Sequence, residues 1–159
     1  MFAKLLLLAC FAMGAYQDLR SLRVSNWLTL GGALAAGLWL CASGHSLTGY
    51  PPGVVLIGLA LALALSVPGY LLGRLGAADV KALAALALAS DPRTVLYTLA
   101  LASVFCVVAM FASKLLIDSD KLPANCQSQL ARLQPSKFKS FPFVFALFVG
   151  LLATLSFIR

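Results

Sequence analysis

The stretch Gly53–Ser90 reads GVVLIGLALALALSVPGYLLGRLGAADVKALAALALAS. Its first part, Gly53–Leu72, is a run without charge, long enough for a helix to cross the ~30 Å of hydrocarbon in a bilayer. A short loop, Gly73–Ala78, leads to a second apolar run, Val80–Ser90. Asp79 stands between loop and run. An ionisable group at membrane depth is costly and by default marks function. Eleven residues separate Asp79 from Asp91, which closes the second run. At ~1.5 Å per residue that run covers only about 17 Å, so Asp79 is predicted to sit below the membrane surface, within the protein.

The rest of the chain has the same character. Of its 159 residues, 62% are hydrophobic and 11% charged, far from the composition of a soluble domain. A core of this size cannot bury so much apolar surface, so the solvent is lipid. Neither a long linker nor an internal repeat breaks the chain, which predicts one membrane domain over residues 1–159. The net charge of +7 does not indicate nucleic acid, because the basic residues gather in loops rather than on one amphipathic face. Four cysteines (Cys10, Cys41, Cys106 and Cys126) form no CxxC pair, and His45 is the single histidine. No metal site and no cofactor are expected. Cysteine in an apolar run is a small hydrophobe.

Six apolar runs are visible: Met1–Gln17, Trp27–Ala42, Gly53–Leu72, Val80–Ser90, Thr94–Ile117 and Phe141–Ile158. The predicted fold is therefore all-α, a polytopic membrane protein with about six transmembrane helices. The first run has a rival reading as a signal peptide, since Leu7-Leu8-Ala9-Cys10 resembles a lipoprotein cleavage box. Its apolar stretch before the cysteine is shorter than the ~7–15 residues of a signal core, and the run continues past Cys10; it is read as the first span. Glycines in the second and third spans (Gly31, Gly32, Gly37, Gly53 and Gly58) are expected to let helices pack closely.

Loops one, three and five and their flanks carry Arg20, Arg23, Arg74, Lys81, Lys114, Lys121, Arg132, Lys137 and Lys139, against Lys4, Arg93 and Arg159 on the other side. The positive-inside rule places those loops in the cytoplasm, including the long segment 118–140, and both termini outside. Asp18 then closes span one and Asp79 opens span four at the same membrane face. Asp118 and Asp120 read as solvated loop charges, and Asp91 as a turn residue.

Two carboxylates sharing one site do not readily both ionise, and the pair holds one proton near neutral pH. That state suits peptide hydrolysis: the ionised member takes a proton from water while the neutral one protonates the carbonyl oxygen. Asp79 opens a helix and Asp18 ends one, so the helix dipole favours Asp79 as the ionised partner. Other readings stay open at this point. Each aspartate can simply pair with a neighbouring cation, Asp18 with Arg20 or Arg23 and Asp79 with Lys81, in a structural membrane subunit. Intramembrane carboxylates also serve small proton- or ion-coupled proteins, although the spans offer few polar residues for a pathway.

Gly76-Ala77-Ala78-Asp79-Val80-Lys81 resembles the GxGDxK signature of the type IV prepilin peptidases, a family of membrane aspartyl proteases. The segment after Asp18 ends in Val24-Ser25-Asn26, similar to the family's Ile/Val-Pro/Ser-Asn, and Phe141-Pro142-Phe143 resembles its Pro-Phe before the last helix. The resemblance implies an aspartic endopeptidase of the bacterial inner membrane. Such an enzyme removes the short basic leader of a prepilin at the cytoplasmic face. Asp18 and Asp79 match the catalytic positions, with Gly76, Ala78, Lys81 and Asn26 in supporting motif positions. Larger members add a cysteine-paired cytoplasmic domain and a methyltransferase activity. The small size here resembles the compact enzymes of Flp-type (tight-adherence) pili. One departure stands out: Ala78 replaces the second motif glycine, a residue that can supply a positive φ or room for close backbone approach.

Overall fold

The computed structural model describes residues 2–21, 24–73, 75–117 and 143–157. The loop expected over 118–140, with Asp118, Asp120 and Cys126, lies outside the described residues, as do Arg23, Arg74 and Phe141-Pro142. The described residues form six helices and no strand: α1 (Phe2–Ser21), α2 (Asn26–Ser43), α3 (Pro52–Leu71), α4 (Ala77–Ala89), α5 (Pro92–Ile117) and α6 (Phe143–Phe157).

Local chemistry sets the helix ends. The Ser25 side chain caps α2 by accepting from the Trp27 N–H, and Gly44 closes the helix in the left-handed conformation at φ 71°, where a Cβ is disfavoured. Pro51-Pro52 starts α3, where the missing N–H costs nothing. Asp91 is more than a turn residue. It is buried before Pro92 and caps α5, its carboxylate accepting from the Arg93 N–H and the Thr94 hydroxyl. Two boundaries differ from expectation. The first helix runs past Gln17 through Asp18 to Ser21, and α4 begins at Ala77 instead of Val80.

The helices pack in the order α1–α6–α5–α3–α4–α2, and the consecutive helices α1 and α2 barely touch. Helix α4 is the most enclosed; Leu83 and Leu86 are fully buried, and Ala82, Ala85, Ala87 and Ala89 lie with them in the core. The outer faces are apolar too: Leu38 of α2, Leu56 and Ile57 of α3, and Val104 and Val107 of α5 are all exposed. Two helices are long and apolar enough to cross a membrane, α3 and Pro92–Ala112 of α5, and only 22% and 17% of their apolar windows are buried inside the protein. A soluble core helix would have most of that surface covered. The 13 residues of α4 reach about 20 Å, and Phe143–Ser156 is apolar but short. Six full spans are thus not evident from helix length and composition among the described residues.

The glycine expectation needs correction. A Cβ on Gly31, Gly32, Gly37 or Gly53 would meet no atom within 4 Å, whereas one on Gly58 would lie 3.3 Å from the Pro92 backbone. The tightest approach to backbone was not anticipated: a Cβ on Gly150 of α6 would stand 2.5 Å from the Thr98 carbonyl oxygen of α5. Backbone cannot yield as a side-chain tip can. Gly150→Ala is expected to lower stability by about 1–3 kcal/mol, read as a reduced midpoint of thermal unfolding in detergent. Gly37→Ala is the matched control and should leave the midpoint nearly unchanged.

Candidate active site

Asp18 lies in the last turn of α1 and is 6% exposed. Its Oδ2 accepts the backbone N–H of Val144 at 2.9 Å and of Phe145 at 3.2 Å. These are the second and third residues of α6, whose N–H groups have no partner inside their own helix. Asp18 therefore ties the end of α1 to the start of α6. Phe145 is fixed further by an edge-on contact with Phe105 of α5, with ring centroids 5.8 Å apart.

Asp79 is the third residue of α4 and is half-buried. Its Oδ2 accepts the N–H of Gly76 at 2.8 Å, and its own N–H donates to the Gly76 carbonyl at 3.1 Å. A third-position carboxylate reaching back to the cap residue is one half of a capping box. Gly76 has φ −79° and ψ 153°, an extended conformation open to any residue. Its lack of a side chain matters for space: a Cβ there would lie 3.1 Å from Asp79 Oδ2.

The two carboxylates come from helices far apart in sequence, yet Asp18 is near enough for its charge to act on Asp79. Of the cations named above as simple ion-pair partners, Lys81 and Arg20 bond to other groups, and Arg23 lies outside the described residues. Lys81 Nζ donates to Asn26 Oδ1 at 3.0 Å, and Arg20 Nη1 to the Tyr16 hydroxyl at 3.2 Å. The structure thus brings Asn26 and Lys81 together across 55 residues. Ala78 sits in the first turn of α4 with helical backbone, so no positive φ is required there.

One inference from the sequence fails. Helix ends were expected to favour Asp79 as the ionised member, but each carboxylate accepts from backbone N–H groups at a helix N-terminus. The dipole argument no longer separates them. The α6 amides are the component that sequence reasoning missed. Pro142-Phe143 was the available signal, because proline at the edge of an apolar run marks a helix start. Gln17 was also missed: its Oε1 accepts the Ser25 N–H at 3.0 Å and holds the α1–α2 connection.

The ends of α1, α3 and α5 and the starts of α2, α4 and α6 belong to the same side of a bundle whose helices alternate in direction. The Asp18–Val144 and Asn26–Lys81 contacts gather four of them at one end. Chemically, each carboxylate accepts backbone N–H groups through Oδ2 and keeps a second oxygen that can take or give a proton. The sequence model of the type IV leader peptidase family matches residues 5–111 of the chain, a segment that contains both aspartates and stops before α6. No curated protein and no solved structure matches.

Proposed function

The chain belongs to the type IV leader peptidase family, and from that membership we propose an aspartic endopeptidase with Asp18 and Asp79 as its catalytic pair. Its substrate is the leader of a type IV, Flp-like prepilin, cut at the cytoplasmic face of the bacterial inner membrane. The observation that carries this reading is that Asp18 and Asp79 come to one end of the bundle, each held there by backbone N–H groups, while Arg20 and Lys81 bond to other groups. The same reading takes all six helices as membrane-inserted, with the short α4 held inside the bundle and the end that bears the aspartates facing the cytoplasm.

In the proposed reaction the ionised carboxylate takes a proton from water as the water oxygen bonds to the scissile carbonyl carbon. The protonated carboxylate gives its proton to the carbonyl oxygen. Collapse of the tetrahedral species breaks the C–N bond. The departing nitrogen takes the proton held by the first carboxylate, and the second carboxylate recovers the hydroxyl proton. Backbone N–H groups hold both carboxylates without neutralising them, which supports the reading over a structural ion pair.

Co-expression with a Flp-type prepilin tests it: the leader should disappear on a gel in the presence of the wild-type chain. An unprocessed prepilin, with the protein inserted and abundant, would remove the proposal.

Asn26 and Lys81 act here as positioning residues. Their bond joins the start of α2 to the helix that carries Asp79. An exposed bond of this kind is worth only about 0.5–1.5 kcal/mol, so its loss should not unfold the protein. Asn26→Leu and Lys81→Met are each expected to lower kcat about tenfold by loosening the Asp79 helix. Because both remove the same bond, the double variant should be no slower than the poorer single. Multiplied losses in the double variant would show separate roles.

A further inference from the structure

A groove of about 230 Å³ opens between α1 and α2, the consecutive helices that barely touch, with α4 as its floor. On α1 it is lined by Leu7, Phe11 and Gly14. These lie eleven, seven and four residues before Asp18, so they continue the helix face that bears the carboxylate. On α4 it is lined by Ala82, Ala85 and Ala89, of which Ala82 lies about one turn after Asp79. Val144, whose N–H holds Asp18, lines it as well. Through this α1 face and Val144 the groove leads toward Asp18, and about 10 Å of apolar channel runs along α4 from Ala82 to Ala89.

We infer that this groove seats an apolar helical segment of the protein being cleaved, entering sideways from the bilayer between α1 and α2. The inference rests on the endopeptidase reading. A chain whose scissile bond lies at Asp18 and Asp79 must continue along one of the surfaces around them, and the groove begins one turn away on both helices. Its walls offer a passing backbone almost no hydrogen-bond partner. Thr29 is the hydroxyl in the lining, and it is turned to the Ser25 carbonyl of its own helix. A polypeptide in such surroundings satisfies its own N–H and C=O groups, which makes it helical. Gly32, beside which a Cβ would meet nothing within 4 Å, and the exposed Ala35 in the walls let a helix backbone come close.

The test uses the full chain in lipid–detergent micelles. A photoreactive residue replaces Ala35, on the groove wall, or Val104, on the exposed outer face of α5, in an Asp79→Asn background that retains substrate. Cross-links to the apolar segment of a prepilin are expected from position 35 and not from 104. In the active chain, Ala35→Phe narrows the groove from a position that does not disturb the core. It should lower about tenfold the preference, in kcat/KM, for a prepilin with its apolar segment over a soluble peptide lacking it, chiefly through KM. Cross-links to lipid alone, equal cross-links from both positions, or an unmoved preference would overturn the groove assignment while leaving cleavage intact. A wild-type chain that cleaves neither substrate would overturn the endopeptidase reading and this inference together.

Discussion

Asp18→Asn and Asp79→Asn are each expected to abolish leader removal, with a loss of about a thousandfold or more, while the protein still folds and inserts. The second half of that expectation comes from the hydrogen bonds. An asparagine carbonyl oxygen at position 18 can still accept the Val144 and Phe145 N–H groups, and one at position 79 can still accept from Gly76. What the amide cannot do is take up or release the shared proton. Asp18→Ala is a different experiment. It strands a buried and a partly buried amide donor at the start of α6, the buried one at a cost of roughly 1–3 kcal/mol, and should lower the unfolding temperature as well as activity. The diagnostic result is therefore a pair of asparagine variants that unfold like the wild type and cleave nothing. Substantial cleavage by either would rule out the acid–base pair.

That Asp18 and Asp79 come to one end of the bundle was legible in the sequence because the order of the helices sets it. Apolar run lengths and the bias of basic residues put the end of the first helix and the start of the fourth at one face. The capping role of Asp79 was readable for the same local reason, since it lies three residues after Gly76 at the edge of an apolar run. What was not legible is what depends on how helices meet. Nothing in the spacing between Asp18 and Val144 says that a carboxylate on α1 will hold the first turn of α6. The motif residues Asn26 and Lys81 were singled out, but their contact emerges only once α2 lies against α4. Glycine was the least readable signal. Gly32 and Gly150 look alike in an apolar run, yet one faces a groove and the other lies against a backbone carbonyl.

The position before Asp79 shows how the structure changes an expectation. The sequence allowed two reasons for a glycine at residue 78: a positive φ, or room. Ala78 is helical, which removes the first. Ala78→Gly should then be tolerated, at the ordinary cost of about 1 kcal/mol for glycine in a helix, with no gain from relieved backbone strain.

Gly76 is where the motif presses hardest on the chemistry, and substitutions there are expected to damage activity far more than stability. Its backbone is extended, so alanine or valine can adopt it without strain. Its N–H is the donor that fixes Asp79 Oδ2, and the same oxygen occupies the space into which a Cβ would project, at 3.1 Å. Alanine must push the carboxylate aside by a few tenths of an ångström or lengthen the 2.8 Å bond that orients it. Valine adds two methyl groups beside the same oxygen and forces a larger shift. Catalytic geometry is unforgiving on this scale, and a displacement near 1 Å can cost about a hundredfold. Gly76→Ala is accordingly expected to reduce kcat about tenfold and Gly76→Val about a hundredfold. Gly76 is exposed, so both variants should keep unfolding midpoints close to the wild type. Kinetics on a purified prepilin at matched protein levels would decide the matter. Wild-type turnover by the valine variant would mean that Asp79 does not act from the rotamer that Gly76 holds.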